Sequence, residues 1–371
     1  MPNSEDIIFI CDPLISEYGP IRPAILIAKK VKEKGRKAMV VSTIISVKMQ
    51  EKLNSLGIQT VNLQRKPFLK KNESIIWLEE WVREAIFSVN SRGIENFDGV
   101  ILNFSNTMCL PAHVWYVQGP PTVTLDNMKK HLPLHYKLIN LALLPFLKIF
   151  DKSFIRKTAN CSKKVIANSK YTASTYHKFG LQVQDVIYPP LDCGKFKPKT
   201  AKPSEDFVLT YFGKETIFEL IKQVLDCGIK VKAFGGKLST VPKKIRKHSN
   251  LSFLGRVDDE TLIDLYSNAF FTLYPFTDEP FGYIPIESLA CGTPVLTFNK
   301  QGPKETIVNG ETGWLANDNY EFLKIALQIW KKGYPKAFRK NCRQAILRFD
   351  VNRIVKDWIN LLEVSMEIYG N

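Results

Sequence analysis

Two hydrophobic patterns alternate along the chain. Short runs rich in apolar residues, unbroken at Ile7–Cys11, occur there and at Lys37–Ser42, Val61–Leu63, Asp98–Asn103, His113–Val117, Phe207–Phe212, Lys230–Phe234, Ala269–Tyr274 and Pro294–Phe298. Runs of this kind are strands buried on both faces, as in a parallel sheet covered by helices. Between them lie segments with apolar residues every three or four positions: 23–34, 74–89, 131–158, 320–332, 335–349 and 353–368. Gly35 and Gly292 follow two helical stretches and read as their stops. Pro145 is expected to kink or break the helix it falls in. The opening strand, loop, helix and strand begin a doubly wound α/β sheet. Cys193–Asp206, rich in Lys, Pro and Ser, reads as a linker. Two domains follow, divided at 198/199 and 350/351.

Composition narrows the partners. The chain has 371 residues, 45% hydrophobic and 24% charged, as in an ordinary globular protein, but its net charge is +16. Such a charge suits an anionic substrate, an anionic membrane surface or nucleic acid. No zinc-finger, RRM or helix-turn-helix pattern supports nucleic acid. The seven cysteines are scattered without a C-x-x-C and read as buried thiols in a reducing compartment. The five histidines have no metal spacing. Glu5 and Asp6 ahead of a short apolar run do not read as a signal peptide. No stretch has the length of a membrane span. The expected place is the cytoplasm, at the cytoplasmic face of a membrane.

The candidate chemistry centres on Glu279–Leu296. Glu279 lies in a loop after an apolar strand, Phe281-Gly282 opens a helix, and Glu287 sits within it. A helix N-terminus following a strand presents free N–H groups to an anion or hydroxyls. Each carboxylate can accept two O–H donors from a sugar or ribose. Alternatively, Glu279 caps the helix and Glu287 faces water.

The same run resembles the E-x7-E signature of the GT-B glycosyltransferases of family 4, retaining enzymes that use nucleotide-sugars without metal. The likeness continues through Gln301-Gly302-Pro303-Lys304-Glu305 to Gly310-Glu311-Thr312-Gly313-Trp314-Leu315, with Gln301 in place of a glycine. Val186-Ile187-Tyr188-Pro189-Pro190-Leu191-Asp192 looks like the Y-P-P segment of lipid-linked oligosaccharide (dolichol-pathway) mannosyltransferases. Gln118–Asp126 is similar to their acceptor loop, with Gln118 where they have histidine. Gln118 can donate a hydrogen bond but cannot take a proton at neutral pH.

The resemblance implies two Rossmann-like domains facing across a cleft, with the last helix, 351–371, returning to the first domain. It implies that Glu287 grips ribose hydroxyls and that Glu279, with the N–H groups of Phe281 and Gly282, holds the sugar. Tyr283 and Ile284 continue this donor site. Lys214, where the family has arginine, would meet the diphosphate, keeping the charge but losing the bidentate fork. The family's second lysine is missing, and Lys222 and Lys237 are its candidate substitutes. Gly19 would meet the donor phosphate, or Gly19-Pro20 is a plain turn. Val257 and Asp259 fall in the base-binding loop. A carboxylate at Asp258 or Asp259 would suit guanine, so GDP-mannose is favoured over a UDP-sugar; alternatively Asp258 caps a helix. Asp126 faces the acceptor or caps a helix.

Residues 131–158 mix apolar and basic positions and could lie in a membrane interface, or pack as a core helix. The expected function is transfer of a hexose to a lipid-linked or membrane-associated glycan, with no metal cofactor. The alternatives are a UDP-sugar transferase acting on another glycan or a protein, and a non-catalytic nucleotide-sugar- or membrane-binding relative.

Overall fold

The computed structural model describes residues 6–69, 73–88, 99–128, 134–200, 203–213, 215–236 and 241–369. For 124–125, 127–128, 134–142 and 364–369 it describes the backbone alone. The chain divides into two units. The first comprises residues through Asp126, Leu134–Pro190 and the chain from Val351; the second comprises Leu191–Asp350 with a short piece from Asn127.

The first unit runs β1 (Asp6–Cys11), α1 (Arg22–Glu33), β2 (Lys37–Ser42), α2 (Val47–Ser55), β3 (Gln59–Asn62), α3 (Glu73–Phe87), β4 (Val100–Asn103), β5 (Ala112–Val117), α4 (Pro121–Met128), α5 (Leu134–Cys161), β6 (Ser162–Ala167), α6 (Lys170–His177) and β7 (Asp185–Val186). Its strands form a parallel sheet in the order β3-β2-β1-β4-β5-β6-β7. The order reverses between β1 and β4, which opens a crevice at the carboxyl ends of these strands. The unbroken apolar runs are strands because both faces are covered: Ile7 and Phe9 enter one core and Ile8 and Ile10 another. Helix α2 is one of the elements that the apolar pattern does not announce. It buries only Met49 and Leu53, and the Ser46 side chain caps it by accepting from the Met49 N–H.

The second unit runs β8 (Val208–Phe212), α7 (Phe218–Asp226), β9 (Val231–Gly235), α8 (Lys243–Arg246), β10 (Leu251–Gly255), α9 (Asp259–Asn268), β11 (Thr272–Tyr274), α10 (Tyr283–Ala290), β12 (Val295–Phe298), α11 (Pro303–Thr306), β13 (Gly313–Ala316), α12 (Asn319–Lys332) and α13 (Ala337–Ile346). The sheet order is β10-β9-β8-β11-β12-β13, again parallel. Its core joins Val208, Phe212, Leu273 and Leu296 to Ile221, Val224, Phe322 and Ala326. The last helix, α14 (Val351–Tyr369), belongs to the first unit. There Trp358 packs against Phe104 and Tyr116, with ring centroids 5.4 and 5.3 Å away.

Three expectations change. The first unit ends at Pro190 rather than 198, because the following segment packs on the second: Leu191 N–H donates to Phe349 O at 2.8 Å, Arg343 reaches Phe196 O at 3.0 Å, and Cys193 is buried. Helix α5 continues through Pro145. The proline sits on the exposed side, where water can serve the carbonyl that loses its amide donor. Asp126 is inside α4, so it caps no helix; it pairs with Lys148 at 3.5 Å.

Candidate active site

The turn from β11 into α10 is held from below by aromatic rings. Tyr274 stacks on Phe276 at 4.1 Å, and Phe276 in turn lies 6.0 Å from Tyr211 at the end of β8. Gly235 at φ 99° lets the Tyr211 ring lie flat on the turn after β9, since a Cβ there would run into the ring. Glu279 follows, part-buried. Its Oε2 accepts the Tyr274 hydroxyl at 2.5 Å, and Oε1 accepts the Phe281 N–H at 3.4 Å. Desolvation lifts its carboxyl from the ordinary 4.5 to about 7, against the pull of the Tyr274 hydrogen bond and with help from Glu215.

Gly282 is the N-cap of α10 at φ 105°, a left-handed conformation that favours glycine. The first N–H groups of α10 have no intrahelical partner, which makes this end a place for an anion or sugar oxygens. The Phe281 side chain is core, packed on Phe349 at 5.6 Å, and its backbone N–H is the group that meets Glu279. Tyr283 and Ile284, the first helical residues, are part-buried. Glu287 is only 2% exposed, and its Oε2 accepts the Tyr266 hydroxyl from α9 at 3.1 Å. Each acid of the E-x7-E pair is therefore oriented by a buried tyrosine from another element. Around Tyr211 the charges of Glu215, Arg256, Glu279 and Glu287 all register. Burial raises its phenol first, Glu215 adds to this, and Arg256 opposes it.

The loop after β12 braces the turn. Gly302 N–H donates to Glu279 O at 3.0 Å and Gln301 Nε2 to Thr277 O at 2.9 Å. Gln301, where the resembled family has glycine, keeps the left-handed conformation at φ 58°.

Other expected residues fare differently. Val257 is part-exposed between β10 and α9. Asp258 caps α9 by accepting the Thr261 N–H at 2.8 Å, and Asp259 pairs with Lys195. Both carboxylates are thus engaged within the protein. Lys214 and Lys237 lie outside the described residues. Lys222 is on α7, paired with Asp226 at 2.5 Å.

In the first unit, Gly19 begins a short 3-10 turn ahead of α1. Gln118 Nε2 donates to Pro20 O at 2.9 Å and Phe104 O at 3.3 Å, so it ties the Gly19-Pro20 turn to the end of β4. Asp12, at the end of β1, is buried and accepts from Ser105 Oγ, Asn106 N, Thr107 Oγ1 and Trp77 Nε1 at 2.6–3.1 Å. Burial raises its carboxyl, and these donors oppose the rise. Asp12, Tyr211, Tyr266 and Tyr274 were not singled out from the sequence. Their roles depend on partners up to 95 residues away, and no short motif records those.

Among the described residues no group of three or more His, Cys, Asp or Glu could hold a metal, and no helix is long and apolar enough to cross a membrane.

Residues 213–346 match the family described as glycosyl transferases group 1. A probable sucrose-phosphate synthase of Thermosipho melanesiensis is 30% identical over 168 residues, 44% of this chain and 38% of that protein. The alpha-1,3/1,6-mannosyltransferase ALG2 of Dictyostelium discoideum is 31% identical over 264 residues, 53% of this chain and 63% of that protein. The chain thus spans less than two thirds of the length of these relatives. The crystal structure of Anabaena Alr3699/HepE in complex with UDP superposes with a TM-score of 0.69 at 17% identity, covering 96% of this chain and 99% of that one. Its match shows the fold, and the matched segment holds the E-x7-E helix and its bracing loop. The family match falls within the second unit, and the likeness to solved structures shows that the chain has the GT-B fold of two parallel-sheet α/β units.

Proposed function

We propose that the chain transfers a hexose, with retention and without a metal, from a nucleoside-diphosphate donor to a lipid-linked or membrane-associated glycan. The observation that carries this reading is the pair of acids flanking the α10 N-terminus, each aimed by a tyrosine: Glu279 by Tyr274 and Glu287 by Tyr266. In this reading Glu287 takes the ribose hydroxyls, while Glu279 and the N–H groups of Phe281 and Gly282 take the sugar. With a carboxyl titrating at about 7, Glu279 can accept or donate a hydrogen bond near neutral pH. The helix N-terminus and Lys214 stabilise the leaving diphosphate. The acceptor hydroxyl attacks from the leaving-group side and gives its proton to the departing phosphate, so no protein base is needed. The acceptor waits at the cytoplasmic face of a membrane, which the protein reaches through α5.

The donor we favour is GDP-mannose, supported by the likeness to ALG2 mannosyltransferases. A second reading, a UDP-sugar donor, is favoured by one feature of the site: Asp258 and Asp259, the carboxylates that would read guanine, are already occupied by Thr261 and Lys195. A panel of nucleotide-sugars in EDTA, read by release of nucleoside diphosphate, decides between them. Release from GDP-mannose above all others is the expected result. Release from UDP-sugars alone removes the guanine assignment, and binding of no donor removes the enzymatic reading.

A further inference from the structure

The loop between β3 and α3 turns two bulky apolar side chains into water although its backbone is tied down. Gln64 begins it in a left-handed conformation, φ 52°, with its N–H on Asn62 Oδ1 at 3.0 Å. Arg65 N–H reaches Thr43 O at 3.0 Å. Farther along, the two carboxylate oxygens of Glu79 on α3 accept the N–H groups of Phe68 and Leu69 at 2.7 and 2.8 Å. A loop fixed this way could have folded its apolar side chains inward. Instead Phe68 is 81% exposed and Leu69 52% exposed, forfeiting their burial.

The loop's own charges are of one sign, while Glu79 and Glu80 of α3 behind it are paired with Arg83. The run Arg65-Lys66-Pro67-Phe68-Leu69-Lys70-Lys71 has four cations and no acid. Arg83 of α3 lies 5.2 Å over the Phe68 ring. The neighbouring helix repeats the theme: Lys157 of α5 donates to Ala85 O at the end of α3 at 3.1 Å. Farther along α5, Phe146 and Ile149 are 61% and 64% exposed, beside exposed Lys148, Lys152 and Arg156.

We propose that residues 64–69 of the β3–α3 loop are a wedge that inserts Phe68 and Leu69 into the headgroup boundary of an anionic lipid bilayer, with the exposed Lys66 beside them at the lipid phosphates. A bilayer of this kind satisfies both features at once: apolar tips enter the acyl margin while lysine and arginine stay at the charged surface. A second copy of this chain would bring the same excess of cations to the contact. The inference rests on the reading that the protein works at a membrane, and adds to α5 a separate point of attachment.

The test is co-sedimentation with phosphatidylcholine vesicles, with and without phosphatidylglycerol. The full chain is compared with a Phe68→Ser/Leu69→Ser variant and a Phe146→Ser/Ile149→Ser variant. The loop variant should partition at least about tenfold more weakly onto anionic vesicles, with its melting temperature and its donor turnover in solution unchanged. If it binds like the wild type while the α5 variant does not, the wedge is wrong and the membrane reading stands. Failure of the wild type to bind any vesicle overturns both. A wild-type dimer that the loop variant dissociates would give the surface to a second copy instead.

Discussion

The hydroxyl of Tyr274 donates to Glu279 Oε2 at 2.5 Å, and the contact joins the last residue of β11 to the loop that precedes α10. Two effects oppose each other at this carboxyl. Desolvation favours the neutral acid and lifts the titration to about 7, while the tyrosine favours the anion. Tyr274→Phe removes the second effect and leaves the first. If the ionised acid is the working form, kcat/KM for the donor rises with pH through a midpoint near 7. The variant should move that midpoint upward by about one unit, the worth of one hydrogen bond to a charged group. A pH profile of donor turnover checks this, and an unmoved midpoint counts against the role given to Tyr274.

The same carboxyl makes stability depend on pH. Its titration is near 7 when folded against 4.5 ordinarily, so between these values the folded chain holds the extra proton. The favourable term is complete below about pH 4.5 and is lost as the pH climbs through 7. The loss is at most about 3 kcal/mol, less in practice because the side chain is part-exposed. Asp151, raised by burial to about 6, pulls in the same direction over a lower range. The comparison must therefore be with Glu279→Gln. The unfolding free energy of the wild type, relative to this variant, should fall from pH 5 to pH 8. A parallel pair of curves would contradict the buried-acid account.

Gly302 lies where its Cα faces Pro280 O and the Phe281 Cα, with no room for a Cβ. Gly302→Ala must push the Glu279 turn aside, at a cost of about 2 kcal/mol, and should weaken donor use as well. Gln301→Gly is the informative neighbour. It relieves left-handed strain and forfeits the bond to Thr277 O, two effects of about 1 kcal/mol each and opposite sign. Chemical denaturation should find the first variant clearly weaker and the second close to the wild type.

Gln118 holds the Pro20 carbonyl, so Gln118→Ala should loosen the turn that carries Gly19. Stability should drop by about 1 kcal/mol. If Gly19 meets the donor, KM for the donor should rise severalfold with a smaller change in kcat. An unchanged KM would make Gln118 a fold-stabilising residue alone.

The parallel sheets were legible because strands buried on both faces must be apolar throughout, as Ile7–Cys11 is. The helix opening at Gly282 was legible because only a few residue types fit its start and stop. Glu279 and Glu287 announced themselves by their spacing. What held them did not. Tyr266 and Tyr274 look like ordinary core aromatics, and a hydrogen bond across 21 positions leaves no local trace. Gln118 was read for its chemistry, whereas its amide serves two backbone carbonyls. Pro145 was read as a kink or a break, and in the structure α5 does not break there, the proline lying at an exposed position. Asp258 offered two readings, and in the structure it caps α9.

The most direct measurement is donor turnover in EDTA by the wild type, Glu279→Ala and Glu287→Ala, with folding of each checked by its melting curve. If the two acids clasp the donor at the α10 N-terminus, the wild type releases nucleoside diphosphate from its preferred sugar donor. Each folded variant should then lose roughly a hundredfold or more in kcat/KM, as expected when a charged partner of the reacting ligand is removed. Wild-type turnover in either folded variant would contradict the account.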